Sequence, residues 1–220
     1  MPRRIIVGIT GASGAPYATR AVQLLVQAGV QVHLVVTPLG QRLLHDELGM
    51  EGVDLAAFAG SDTNASTHAK ANAKQENIIL HNYRDVGASI ASGSFHHDGM
   101  LVLPCSSNSL SAIANGSAQN LLHRAAHVTL KERRKLVLVH REMPLSLIDI
   151  RNMAQVTEAG AIICPASPGF YMLPQSVDDI IDFVVGRALD LLDINHNLAI
   201  RWGESTLEST NESRFEDNTG

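Results

Sequence analysis

Arg4-Ile5-Ile6-Val7-Gly8-Ile9-Thr10 is followed by Gly11-Ala12-Ser13-Gly14 and then by an alanine- and leucine-rich stretch from Ala15 to Ala28. A short β-branched run of this kind reads as a buried strand, the glycine-containing segment as a tight turn, and the remainder as a helix. The pattern recurs along the chain. Further strands are expected at Gln31 to Thr37, Asn77 to Leu80, Met100 to Leu103, Lys135 to Val139 and Ala161 to Cys164. Helices fit between and after them at Leu39 to Leu48, Leu110 to Ala114, Ala118 to Arg133, Leu145 to Val156 and Val177 to Asp193. Strand and helix alternate, which predicts an α/β class: one Rossmann-like (flavodoxin-like) parallel sheet with helices on both faces. Residues 60–75, rich in Ala, Ser and Asn, read as a mobile surface excursion.

The chain has 220 residues, enough for one sizeable domain. At 18% its charged fraction lies below the usual ~25%, which suggests a surface covered by something other than water, such as other subunits. Of the net charge of −5, most sits at the end: Glu204, Glu208, Glu212, Glu216 and Asp217 stand against Arg214. Residues 203–220 are therefore expected to be an acidic, solvated tail beyond a domain at 1–202. A nucleic-acid partner would need a basic face, which this composition does not offer. The longest purely apolar runs are far too short to span a bilayer. The N-terminus lacks a signal-peptide pattern, and Cys105 and Cys164 are the only two cysteines, so a reducing cytoplasm is the expected home. Despite ten histidines the chain has no CxxC spacing, and no metal site is expected.

In an open parallel sheet, ligands bind beyond the carboxyl ends of the strands. The unusual residues of this chain fall there: Gly11 to Gly14, Thr37-Pro38, Pro104 to Ser109, His140-Arg141-Glu142, and Pro165 to Tyr171. The first turn is neither GxGxxG nor a P-loop, and Thr37 stands where a dinucleotide site would want an acid. It suits one phosphate or a polar ring edge, and it also reads as a plain tight turn. Cys105 to Ser109 reads either as an N-cap with a buried cysteine or as a second polar cradle. Arg124 and Lys131 share a face of their helix two turns apart, with His127 between them. Glu142 beside several cations is either a proton shuttle or a salt-bridge partner.

Seven segments, taken in order and spacing, resemble the UbiX-type flavin prenyltransferases. They are TGASGA (10–15), ASGSF (91–95), GMLVLPCS (99–106), RAAHVTLKERR (124–134), LVLVHRE-PL (136–145), PASPGFY-PQS (165–176) and RWGE (201–204). The resemblance implies an enzyme that joins a dimethylallyl group from dimethylallyl monophosphate to N5 and C6 of reduced FMN, without a metal. The product, prenylated FMN, serves UbiD-type decarboxylases, and the family assembles as a homododecamer.

Carried over by motif, Gly11, Ala12, Ser13, Thr37, Ser106, Ser107, Asn108, Ser109 and Arg124 would bind FMN. Lys131, Arg141, Glu142, Tyr171 and Arg187 would hold the substrate phosphate, and Trp202 would cover the allyl group. Ser13, Glu47, Lys131 and Glu142 would take part in the chemistry, some of these residues coming from neighbouring subunits. The sequence departs from the family at Thr37-Pro38, where Ser-Lys is usual, and at His140, where Pro is common. Two rivals remain at this point: a flavin-dependent aromatic-acid decarboxylase using Cys105 or a histidine, and a non-enzymatic FMN carrier.

Overall fold

The computed structural model describes residues 2–60 and 75–198. Six strands form one parallel sheet in the order β3-β2-β1-β4-β5-β6. They are β1 (Arg4–Ile9), β2 (Gln31–Val36), β3 (Ile78–His81), β4 (Gly99–Cys105), β5 (Leu136–His140) and β6 (Ile162–Ile163). The helices are α1 (Ala15–Gln27), α2 (Pro38–Leu48), α3 (Leu55–Ala59), α4 (Ser107–Ala114), α5 (Leu121–Lys131), α6 (Leu147–Glu158) and α7 (Val177–Asp190), with a 3₁₀ turn at Ser89–Ala91. The chain winds outward from β1 to β3, returns to β4 beside β1, and winds outward again. The switch point between β1 and β4 therefore opens a crevice at the carboxyl ends of these two strands.

The sheet is buried on both faces, so its central strands are apolar without alternation. Ile5, Val7 and Ile9 of β1 point into a core with Ala18, Val22 and Leu25 of α1 and Val185, Ala188 and Leu189 of α7. Ile6 points the other way, into a second core with Val102 of β4, Leu110 of α4 and Leu121, Leu122 and Ala125 of α5. Each such fully buried aliphatic side chain contributes roughly 1.5–3 kcal/mol. Gly8 is what lets α5 lie close on β1: a Cβ there would be 2.7 Å from Leu122 Cδ1.

Local capping moves several boundaries from those expected. The helix expected at Leu110 begins at Ser107, because Ser106 caps it by accepting from Ser109 N–H at 3.4 Å. The helix expected from Ala118 begins at Leu121, because the Asn120 side chain accepts from His123 N–H at 3.0 Å. A short helix, α3, appears in a stretch to which the sequence reading gave no element, capped by Asp54 on the N–H groups of Ala56 and Ala57. Ser146 and Asp149 form a reciprocal capping box that starts α6 at Leu147. Of the expected 60–75 excursion, residues 61–74 lie outside the described residues, as do Trp202 and the 203–220 tail. Among the described residues no helix is long and apolar enough to cross a membrane.

Candidate active site

Thr10 ties the two halves of the crevice together. Its hydroxyl donates to the Pro104 carbonyl at 2.8 Å and accepts from Ser106 N–H at 2.8 Å, so the turn after β1 and the loop after β4 move as one unit. Gly11 must be glycine for a packing reason: a Cβ there would stand 2.5 Å from Leu39 Cβ at the start of α2. Gly14 caps α1 with φ 133°, a conformation open mainly to glycine. Ala12 is buried beneath the turn, and Ser13 is exposed at its tip.

Two N–H groups at the start of α1 are already satisfied. Gly14 and Ala15 donate to Glu47 Oε2 at 3.0 and 2.8 Å, the carboxylate reaching across from the last turn of α2. Glu47 thus adjoins Ser13 and carries negative charge to the positive end of the α1 dipole. Thr37 has a structural duty as well. Its hydroxyl donates to the Ile9 carbonyl at 3.2 Å and accepts from Gly40 N–H at 3.1 Å, capping α2.

The loop after β4 forms the second wall. The Ser106 hydroxyl donates to Ser109 Oγ at 3.4 Å, and Ser109, itself buried, lies 3.3 Å from Nε2 of buried His123. Asn108 is exposed on the first turn of α4. Ser107 Oγ donates to Glu142 Oε2 at 3.3 Å, which joins this wall to the loop after β5. Arg141 closes the third side by donating from Nε to the Ser13 carbonyl at 3.3 Å. Beneath them His140, buried, donates from Nδ1 to the Cys105 carbonyl at 2.9 Å. A carbonyl only accepts, so Nδ1 carries the proton in this bond. The Cys105 thiol is fully buried and pushed up to about 12 by that burial, so it stays neutral and cannot serve as a thiolate.

The structure therefore brings Gly11, Ala12, Ser13, Thr37, Glu47, Ser106, Ser107, Asn108, Ser109, Arg141 and Glu142 to one end of the sheet. Arg124 stands at the same end, exposed on the first turn of α5 beside His123, which meets Ser109. The other described candidates are less closely tied to this group. Lys131 ends α5 only a few residues before β5 begins, at the amino-terminal edge of the sheet, where it pairs with Glu132 at 3.0 Å. A strand rises about 3.3 Å per residue, so Lys131 stands roughly a full strand length from Glu142 of its own chain. Tyr171 is half exposed and packs edge-on against Phe183 of α7 at 5.7 Å. Arg187 is exposed in the last turn of α7 and pairs with Asp190 at 3.0 Å. Thr10 and Asp149 escaped the sequence reading. The S-x-x-D spacing of Ser146 and Asp149 was a readable cue for a cap. Among the described residues no group of three His, Cys, Asp or Glu side chains is placed to hold a metal ion.

A doubly wound parallel sheet with a polar, glycine-bearing crevice at its switch point defines a nucleotide-binding α/β protein. The family described as Flavoprotein matches residues 1–189. The chain is 46% identical over 213 residues to the flavin prenyltransferase UbiX of Halalkalibacterium halodurans, covering 94% of this chain and 96% of that one. It is similar to the crystal structure of AnUbiX (PadA1) in complex with FMN and dimethylallyl pyrophosphate, with TM-score 0.75 and 41% identity over 89% of this chain and 94% of that one. It is equally similar in fold to the dodecameric FMN-dependent UbiX-like decarboxylase from Escherichia coli O157:H7, with TM-score 0.75 and 40% identity over 90% of this chain and 98% of that one. The chain belongs to the UbiX-type flavin prenyltransferases, within the flavoprotein family.

Proposed function

We propose that the chain transfers a dimethylallyl group from dimethylallyl monophosphate to N5 and C6 of reduced FMN, releasing phosphate and giving prenylated FMN. The observation that carries the reading is the meeting of Arg141 with the Ser13 carbonyl and of Glu142 with Ser107, a cation and a carboxylate on the walls of one small-residue crevice. The fit to a flavin is good on two counts. Ser13 and Asn108 are exposed, and the α1 N–H groups are taken by Glu47, which favours a ring edge over a phosphate at that turn.

The residues present suit the bond changes. Breaking the C1–O bond of the allyl phosphate leaves negative charge on phosphate, which fixed guanidinium groups such as Arg141 stabilise. A new bond then forms from C1 to flavin N5 with loss of the N5 proton. Once C2 of the remaining alkene takes up a proton, a second bond forms from C3 to C6 with loss of the C6 proton. Each of these protons needs a carrier within reach. Glu142, with Ser107 at 3.3 Å, and Ser13, next to Glu47, are those carriers. Trp202 is assigned the lid that keeps water from the allyl fragment.

Lys131 is assigned to the phosphate of a neighbouring subunit's site, because its own Glu142 is a strand length away. A homododecamer like the E. coli relative brings such edges together and covers apolar side chains such as Met143, Ile148, Phe170 and Leu173, 67–85% exposed here. Arg124, Tyr171 and Arg187 complete the phosphate and flavin contacts of that assembly. The product serves a UbiD-type decarboxylase, and the work is done in the cytoplasm. A neutral, buried Cys105 argues against direct thiolate-based decarboxylation.

The test is to mix purified protein anaerobically with FMN, dithionite and dimethylallyl monophosphate and to weigh the flavin. A gain of about 68 Da, one C5H8 unit, with one phosphate released, is expected for the covalent transfer. Bound but unmodified FMN would return the carrier and decarboxylase readings.

A further inference from the structure

The peptide unit between Cys105 and Ser106 is held at both of its polar ends. Its carbonyl, on Cys105, accepts from His140 Nδ1 at 2.9 Å and from Arg141 N–H at 3.3 Å. Its N–H, on Ser106, donates to Thr10 Oγ1 at 2.8 Å. The need for such a grip lies in the sheet ladder. Val102 pairs with Leu138 and Cys105 with His140, so Leu103 and Pro104 of β4 stand against Val139 alone. An extra residue of this kind interrupts the regular hydrogen bonds between strands, and Pro104 has no N–H to offer. Side chains from the neighbouring strands take over. His140 is the unexpected one among them. Leu136 and Leu138, four and two residues earlier on the same face of β5, are fully buried aliphatics. His140 is only 3% exposed, and its Nε2 is buried with no hydrogen-bond partner among the described residues. An apolar side chain would fill that space without burying a ring nitrogen. What the imidazole adds is the bond from Nδ1 to the Cys105 carbonyl.

We propose that His140 is a positioning residue for the flavin crevice: by holding the Cys105 carbonyl it fixes the rotation of the Cys105–Ser106 peptide, and with it the place of Ser106, Ser107 and Asn108 at the head of α4. This deepens the assignment of the crevice as the site of flavin prenylation and rests on it. Ser106 is the N-cap of α4, with φ −80° and ψ 157°, so the peptide that precedes it sets the direction in which the first turn starts. Ser107 on that turn meets Glu142 at 3.3 Å. Arg141, next to His140 in the chain, reaches the Ser13 carbonyl at 3.3 Å and shares the Cys105 carbonyl through its own N–H. Without the imidazole bond the carbonyl keeps only that long contact, and the peptide turns more freely about its Cα–Cα axis. The hydroxyls and amide of the β4 wall then lose their register with Glu142 and Arg141. A misplacement of about 1 Å is enough to cost about 10²-fold in rate. His140 acts from beneath the crevice, through the backbone.

The experiment compares His140→Asn, His140→Gln and His140→Leu in the full chain. The amide of His140→Asn can place an N–H where Nδ1 stands, that of His140→Gln can place one only where Nε2 stands, and His140→Leu offers none. Without ligands, hydrogen exchange of the Ser106 amide is expected to quicken about fivefold in His140→Leu and His140→Gln, the loss of one ordinary hydrogen bond, and to stay near wild type in His140→Asn. With reduced FMN and dimethylallyl monophosphate, prenylation should slow about 10- to 100-fold in His140→Leu and His140→Gln and by less than about threefold in His140→Asn. A residue that only fills space would give a different order, with His140→Leu keeping both exchange and rate while the two amide variants share any loss. The inference is overturned by wild-type exchange in His140→Leu, by rescue in His140→Gln equal to that in His140→Asn, or by a His140→Asn as slow as His140→Leu. If His140→Leu does not fold, the comparison of His140→Asn with His140→Gln decides in the same way. Exchange in the ligand-free chain reads the hold on the peptide, and the flavin mass reads the transferase assignment, so either can fail without the other.

Discussion

The two edges of the sheet are built differently. At the carboxyl edge, side chains from four separate parts of the chain hold one another: Thr10 bridges β1 and β4, Glu47 of α2 caps α1, Arg141 reaches the Ser13 carbonyl, and Ser107 joins α4 to Glu142. At the amino edge, Lys131 pairs with its sequence neighbour Glu132, while Arg134 is fastened to the carbonyls of Gly93 and Phe95. His33 lies against His81 at 2.9 Å and edge-on to Phe95, which stacks on His97. Polar groups that cross-brace through several elements are pre-set for chemistry. A lysine held by one exposed partner is free to be used by something else.

The largest effect should come from removing both kinds of cation. Arg141→Ala is expected to slow prenylation about 10²–10³-fold, the usual loss for a fixed group at a developing charge, with FMN still bound by fluorescence titration. Lys131→Ala should cost about as much. Mixed assemblies of the two inactive variants would then regain activity, because some interfaces pair an intact Arg141 with an intact Lys131. Inactive mixtures would break the contrast between the edges.

Next comes the close contact beneath the site. Gly8→Ala forces a Cβ against Leu122, and a loss of roughly 1–3 kcal/mol is expected in urea unfolding, compared with under 0.5 kcal/mol for a substitution at an exposed position.

The edges should also part company in acid. His33 is held near 4, chiefly by desolvation and then by His81, and His81, His97 and His123 are pushed the same way, mainly by burial. Their unfolded forms take up protons more readily than their folded forms. The stability they contribute is complete above about 6.5 and is lost as pH falls toward 4. Asp149 acts lower: its contribution is present above about 4 and lost as pH falls through about 2, worth at most about 2 kcal/mol. Thermal melts of wild type and His33→Gln between pH 7 and 4 should therefore converge as acid is added, while the Asp149→Asn difference persists to lower pH.

Much of the fold was legible in short runs. Residues 4–10 announce a strand buried on both faces, and the same run-turn-helix rhythm locates five of its neighbours. What failed was local competition at helix starts: Ser106 and Asn120 cap later or earlier than periodicity suggests, since a side-chain acceptor, not the apolar pattern, sets the first turn. The site was legible as a set of loops at one sheet end. Its wiring was not, because Glu47 meets Ala15 across 32 residues of sequence and no periodicity encodes that contact. Lys131 shows the converse. Its motif is plain, yet only the direction of α5 reveals that it stands at the other edge.

The Glu47 carboxylate at the head of α1 has a consequence for the company this protein keeps. Doubly wound sheets commonly receive the diphosphate bridge of ATP or NAD at the start of their first helix. Here that place is filled from within by a like charge. The abundant nucleotides of a cell would meet repulsion where they expect a welcome, and a scarce mononucleotide would not have to compete with them for the crevice.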